Sequence, residues 1–423
     1  MEVIGTDRRE AVGKHVVVVG AGMVGLATAW FLQEEGVSVT VVDRSHVAAG
    51  SSWGNAGWLS PALTLPLTDP AILSTGIRAV LSRSSPVYVP LTASPRLLKF
   101  LILFARNCTP SRFHNAMRLF VDVNREALGA YEQLSSSGVD APVRSAEPLI
   151  AAFANSADRK VLTEEFKHVG EAGGEVHFDL VSGDEARALE PALGPAVECA
   201  TLLHGQRFIN PGQFVAALAA GVRERGGTIC DGARVTSVAP DGGGVRVRLE
   251  SGQDLTADAT VLANGAWLGE LARPFGVKTV VQAGRGYSFA VAPDSLPTHP
   301  IYLPTQRVAC TPLGDGFRVA GMMEFKKPDA AFDPRRIETI IDAARPMLTG
   351  IDWTVRTDEW VGSRPCTPDG IPVIGRTKSP NIYVAGGHGM WGVALGPLTG
   401  RLIARLVAKN ENSPLLKDFD PLR

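Results

Sequence analysis

Only five cysteines occur in the 423 residues, at positions 108, 199, 230, 310 and 366, and no two of them form a C-x-x-C pair. An odd, scattered set offers neither a disulfide framework nor a zinc site and fits a reducing cytosol. Charge of one sign is also missing. With 42 basic and 43 acidic side chains the net charge is −1, whereas a nucleic-acid binder needs a basic face. No apolar run reaches the roughly 18 residues of a transmembrane helix. The first fourteen residues are polar and the apolar stretch behind them reads as a strand, so we expect a ragged leader and no signal peptide. Repeats and low-complexity tracts are absent from the sequence as well. A chain this long can bury a large core and is expected to form two domains.

What the sequence does contain is organised around residues 15–44, HVVVVGAGMVGLATAWFLQEEGVSVTVVDR. Val16 to Val19 read as a strand buried on both faces, as in a parallel sheet. Gly20, Gly22 and Gly25 follow at the G-x-G-x-x-G spacing, and Leu26, Ala29, Trp30 and Leu32 recur at helical intervals. Gly36 ends that helix, and Val37–Val42 leads a second strand to Asp43. The glycines divide the mechanical work. Gly20 turns the chain, Gly22 admits a pyrophosphate to the backbone, and Gly25 lets helix and strand pack. The helix N-terminus then receives the pyrophosphate. Asp43 stands near the roughly 20-residue separation expected of an acid that bonds a ribose hydroxyl. Strand, turn, helix, strand and acid fall in register, so the segment predicts a dinucleotide site.

The following loop, HVAAGSSWGNAGWLSP, is rich in small residues that let backbone donors approach a ligand. Arg44 at its start reads equally as a cover for the adenine end or as a rim charge. The apolar patch 97–105, LLKFLILFA, reads as a buried helix, with attachment to a membrane surface as its secondary reading. Amphipathic helices are expected over 115–137 and 156–173. Asn210-Pro211 opens another, and strands follow at 233–239 and 244–250. From about 279 the pattern becomes antiparallel. A last buried strand, NIYVAGG, precedes a closing amphipathic helix. The expected fold is therefore α/β, a Rossmann-like cofactor domain over 1–61, 196–275 and 356–423. An α+β substrate domain with a mostly antiparallel sheet, over 62–195 and 276–355, interrupts it. That double interruption is hard to reconcile with a simple NAD dehydrogenase.

At this point the motifs VVVVGAGMVGLATAWFLQEEGVSVTVVDR, SSWGNAGWLSP, VLANGAW, GRGYSF, WVGSRPCTPDGIPVIG and NIYVAGGHGMWGVALGPLTG, in this order along nearly the full length, carry a resemblance. The chain resembles the D-amino-acid dehydrogenases, within the D-amino-acid oxidase and glycine/sarcosine oxidase superfamily. The resemblance implies a glutathione-reductase-like fold, bound FAD, and oxidation of an amino acid at its Cα–N bond. It implies electrons leaving to an acceptor other than oxygen, a quinone or an electron-transfer protein. It also implies a cytoplasmic protein, with a peripheral position at the inner face of the membrane as the secondary reading. In sarcosine oxidases a cysteine several residues before a T-P-D triplet holds the flavin covalently. Here Cys366 directly precedes Thr367-Pro368-Asp369, which implies non-covalent FAD.

Cofactor contacts are expected from Gly20, Ala21, Gly22, Met23, Val24, Gly25, Asp43 and Arg44, and from Ser51, Ser52, Asn55, Ala56 and Gly57. Val235, Ala263 and Gly265 complete the nucleotide end, and Gly387, His388, Gly389, Met390, Trp391 and Gly392 the flavin end. The N–H groups of Gly389 to Gly392, near a helix N-terminus, are expected to stabilise negative charge on the flavin. For the substrate carboxylate, the fork of an arginine is the best partner. By resemblance Arg364 in GSRP is the first choice and Arg285 in QAGRGYSF the second. Tyr287, two residues on, shares Arg285's strand face and reads either as a carboxylate partner or as core. His388 reads as a group near the cofactor more than as a general base. Alternatives within reach are the same chemistry on a secondary amine (D-hydroxyproline, D-proline, sarcosine or glycine), including as an oxidase, and a flavin-binding scaffold without turnover.

Overall fold

The computed structural model describes residues 13–70, 87–90 and 94–423. Most of the expected leader and residues 71–86 of the proline-containing stretch lie outside these described residues. Val16–Val19 form a strand that is at most 5% exposed, because both faces of its sheet are covered. The sheet runs Thr228–Cys230, Ser38–Val42, His15–Val19, Ala259–Leu262, Ile382–Gly386 and Val373–Arg376. All neighbours are parallel except the last pair. On one face, Met23–Glu34 packs against the closing helix Gly392–Lys409. Contact is that close because a Cβ at Gly400 would lie 2.6 Å from the Ala27 carbonyl carbon. Pro110–Ser136 joins the same layer, where Tyr131 donates its hydroxyl to the Val393 carbonyl at 2.7 Å. The other face meets a three-stranded antiparallel sheet, Val235–Asp241, Gly244–Leu249 and Asp254–Ala257. Val17 and Val19 interdigitate there with Val245 and Val247.

A large second sheet runs in the order Ile351–Cys366, Gln282–Pro293, Gly316–Phe325, Val308–Leu313, Ile301–Leu303, Leu149–Phe153, Cys199–Leu203 and Phe178–Ser182, and a small one pairs Trp58–Leu59, Gln206–Phe208 and Arg144–Ala146. Val87–Tyr88 also pairs with Gly316–Phe325. Most pairings of the large sheet are antiparallel, as expected. The amphipathic helix Arg335–Ala344 packs Ile337, Ile340 and Ile341 onto this sheet.

Two sheet memberships differ from the expected boundaries at 196 and 356. Residues 199–203 pair with Leu149–Phe153 and Phe178–Ser182 in the antiparallel sheet. Residues 356–366 continue the long strand paired with Gln282–Pro293. The buried apolar run 199–203 reads alike in either sheet, so periodicity could not assign it. Residues 356–366 are the polar continuation of one 16-residue strand whose pairing no local pattern states. The 97–105 patch also differs. It lies in the helix Pro95–Asn107, but only Leu97 and Phe100 are buried, while Leu98 is 60% and Ile102 47% exposed. An apolar run with one lysine leaves open how much of the helix a neighbour covers. Among the described residues no helix is long and apolar enough to cross a membrane.

Candidate active site

The carboxyl ends of the parallel strands open onto a cleft that is partly open to solvent. Gly20, Gly22, Met23 and Val24 form its base at the head of the first helix. Gly20 adopts φ +115°, and a Cβ there would lie 2.5 Å from the Ala263 carbonyl oxygen, so only glycine fits the turn. Gly25 stands behind the cleft, where a Cβ would lie 1.8 Å from the Gly20 oxygen. The helix has no side-chain cap and no acidic residue in its first turn, which leaves its positive end unopposed.

Asp43 and Arg44 line the same cleft. The Asp43 carboxylate accepts the Ala21 N–H at 2.8 Å and the Ser45 N–H at 2.8 Å, and each oxygen retains acceptor capacity for a ribose hydroxyl. Arg44 is more committed than either sequence reading allowed. It pairs with Asp329 of the substrate domain and stacks over Trp267, 4.1 Å from the ring centre. Trp267 donates its indole N–H to the same Asp329 at 2.9 Å.

Ser51, Ser52 and Asn55 supply the next wall. Ser52 Oγ accepts the Met23 N–H at 3.1 Å, tying this loop to the glycine-rich turn. Ala56 and Gly57 lie behind the wall. Gly57 at φ +82° sits so near the Ile209 carbonyl that a Cβ would be 2.1 Å from it. Val235, Ala263 and Gly265 line the nucleotide end. Asn264 beside them was not singled out from the sequence. Its side-chain oxygen is buried without a partner in the cleft wall, an acceptor waiting for a donor.

His388, Gly389, Met390 and Gly392 close the other end. His388 is 2% exposed, its Nε2 lies 2.8 Å from the Thr399 hydroxyl, and burial pushes its pKa down to about 4. It is neutral at pH 7 and a weak base. Gly389 donates its N–H to the Pro365 carbonyl and Trp391 donates to the His388 carbonyl. Two of the four expected backbone donors are therefore turned inward. Gly387 and Trp391 stand outside the lining, the indole N–H of Trp391 donating to the Leu65 carbonyl at 2.7 Å.

Of the substrate candidates, only Arg364 reaches the cleft. One of its N–H groups donates to the Met322 carbonyl at 2.6 Å. Met322 is held at φ +66°, in the left-handed region. Among the described residues Arg364 has no ion pair, and burial lowers its pKa, opposed only by the nearby Cys366. Arg285 is 1% exposed and points elsewhere, to Glu324 at 3.2 Å and the Ala331 carbonyl at 3.1 Å. Tyr287 donates its hydroxyl to the same Glu324 oxygen at 2.9 Å. Arg336 and Lys326 complete a cluster around that carboxylate, at 3.0 and 2.8 Å. Burial opposes the charge of Glu324, but Lys326, Tyr287 and Arg336 outweigh it and hold the carboxyl low. Arg285 and Tyr287 thus sit in a buried ionic cluster, not at the cleft. No spacing in the sequence announces Glu324, which is why the pair read as substrate ligands. Cys366 is buried, outside the lining, with its thiol pushed up by burial to about 11.

The donor set fits FAD. Unopposed helix N–H groups suit a pyrophosphate, Asp43 a ribose, and the orphaned Asn264 oxygen a donor on the cofactor. Comparison with known proteins agrees. The D-amino acid dehydrogenase of Agrobacterium fabrum is 29% identical over 411 residues, covering 94% of this chain and 96% of that protein. That of a Cereibacter sphaeroides strain is 30% identical over 403 residues, covering 93% and 91%. The glycine oxidase of Geobacillus kaustophilus superposes with a TM-score of 0.74 at 20% identity, over 97% of this chain and 99% of that one. The family model described as FAD dependent oxidoreductase (DAO) matches residues 15–406, and the chain belongs to that family of FAD-binding enzymes.

Proposed function

We propose that the protein oxidises a D-amino acid at its Cα–N bond, giving the 2-oxo acid and ammonia, and passes the electrons to a quinone or an electron-transfer protein. The observation that carries this reading is Arg364: a guanidinium at the cofactor cleft, desolvated and without an acidic partner among the described residues. A partly buried cation in that state is stabilised by an incoming anion, and a planar fork suits a carboxylate. The Met322 carbonyl takes one N–H and fixes the direction of the rest. The named activity of the curated relatives supports the D-amino acid.

Bound FAD supplies the two-electron acceptor. The chain supplies position. Arg364 holds the carboxylate, so that the Cα–H and amine of the substrate are presented at a fixed place. His388, neutral and bonded to Thr399, shapes the cleft wall and carries no proton in the reaction. The substrate ammonium therefore gives up its proton to water, the neutral amine is what reacts, and water hydrolyses the released imino acid to the 2-oxo acid and ammonia. The buried, protonated Cys366 supports non-covalent FAD.

An anaerobic panel of D- and L-amino acids, D-prolines and glycine, followed by bleaching of the flavin absorbance, tests the reading. D-amino acids should bleach it, and acid should release all of the FAD. Dyes or quinones should sustain turnover much faster than oxygen. Bleaching by D-prolines, sarcosine or glycine alone would move the substrate to secondary or unsubstituted amines. Peroxide formed at the rate seen with dyes would make the protein an oxidase.

A further inference from the structure

Arg318 is 6% exposed, near the start of the strand Gly316–Phe325, and belongs to no ion pair among the described residues. Burial lowers its pKa, and only the charge of Asp358 opposes that. Such a desolvated cation is costly unless its donors are used. Its Nη1 donates to the Trp53 carbonyl at 2.7 Å and approaches that of Asn55 at 3.5 Å. The guanidinium also stacks over the Trp53 ring, 4.8 Å from its centre.

Thr311 is Arg318's cross-strand neighbour. Its hydroxyl donates to the Ala56 carbonyl at 2.8 Å and accepts the Trp58 indole N–H at 2.9 Å. Two adjacent side chains of the substrate sheet therefore grip a loop of the cofactor domain at three carbonyls. The loop is the one whose Ser51, Ser52 and Asn55 line the cleft, with Ser52 bonded to the head of the first helix. It has no ladder of its own over residues 43–57, so its shape depends on what holds it.

We infer that Arg318, with Thr311, is a positioning residue for the cofactor: it holds the 51–57 loop in the form that retains FAD, and so makes FAD affinity depend on the substrate domain. Neither residue lines the cleft, and the inference concerns FAD retention whatever the substrate.

The test is FAD titration of apoprotein, by quenching of FAD fluorescence, for wild type, Arg318→Met, Arg318→Lys and Thr311→Val. A lost hydrogen bond from a charged donor predicts that Arg318→Met weakens FAD by about tenfold or more. Arg318→Lys should recover part of the loss, since an ammonium can reach one carbonyl but cannot stack as a plane. Thr311→Val should weaken FAD by about threefold or more, as expected of a neutral hydrogen bond. The double variant Arg318→Met/Thr311→Val should fall short of the product of the single effects, because one loop is released twice. At saturating FAD the substrate KM should move less than the FAD dissociation constant does. FAD affinity within twofold of wild type in a folded Arg318→Met protein overturns the inference, as does a KM effect larger than the FAD effect. Should Arg318→Met fail to fold, Thr311→Val decides alone, and unchanged FAD affinity there is equally fatal.

Discussion

Gly286 and Arg364 occupy one space: a Cβ on Gly286 would lie 2.1 Å from an Arg364 guanidinium nitrogen. The two residues are diagonal neighbours on paired strands, Gly286 opposite Gly362 and Arg364 opposite Gly284. The glycine in GRGYSF is thus the bed on which the arginine of GSRP lies. Gly286→Ala should push the fork aside without touching the cofactor. A misplacement near 1 Å costs on the order of 100-fold in rate, so kcat/KM for carboxylate substrates should fall by about 10- to 100-fold with FAD content unchanged. Wild-type kinetics in Gly286→Ala would show that the guanidinium has room to spare.

Arg285 makes a contrasting prediction. Its partner Glu324 is fully buried and serves four groups, and breaking a buried pair costs about 3–5 kcal/mol. Arg285→Met should therefore lower the melting temperature by several degrees. What folded protein remains should still prefer carboxylate substrates over their amides. A variant of normal stability that had lost this preference would return Arg285 to the substrate.

Two of the three glycines of the fingerprint should fail differently. A Cβ at Gly22 meets nothing nearer than Ser52 Oγ at 3.2 Å, while one at Gly25 would sit inside the Gly20 carbonyl. Gly22→Val should yield a folded, colourless protein, its side chain occupying the place of the pyrophosphate. Gly25→Ala should yield little soluble protein. Near-full FAD occupancy in Gly22→Val, read from the ratio of flavin to protein absorbance, would remove that glycine from the cofactor site.

His388 sets part of the acid limit. Its folded pKa of about 4 lies below the ordinary value of 6.5, so between the two the unfolded chain binds the extra proton. This contribution to stability is complete above pH 6.5 and is lost as pH falls toward about 4. His388→Asn should flatten that part of a stability–pH curve and leave the alkaline side alone. A curve with the same acid slope in the variant would assign the slope to other groups.

The sequence disclosed most where one geometry has one chemical solution. Gly20 must take a positive φ, Asp43 must follow the second strand, and Asn210-Pro211 must open a helix, so these turns and caps were legible in the sequence. It was silent where partners meet across the fold. Nothing local to Arg285 or Tyr287 announces Glu324, thirty-seven residues beyond the tyrosine. Nothing in GFRVAGM says that Arg318 reaches Trp53. Arg44 reads as a nucleotide cover or a rim charge until Asp329, far along the chain, is placed beside it. The sheet membership of 199–203 was lost for a related reason, since burial on both faces erases the alternation that separates one sheet from another.

Binding of the substrate carboxylate by Arg364 is the step on which the proposed function turns. Arg364→Ala leaves that anion without its partner, which costs about 2–5 kcal/mol, or about 30-fold or more in kcat/KM. Arg364→Lys should regain only part, because a point charge cannot reproduce the fork. The most direct measurement is kcat/KM of wild type and Arg364→Ala on a D-amino acid and on its amide, with FAD content checked in both proteins. A large loss on the acid, a much smaller one on the amide, and full FAD are expected. Equal losses on both substrates, or loss of the flavin, would contradict that role and make Arg364 a structural residue.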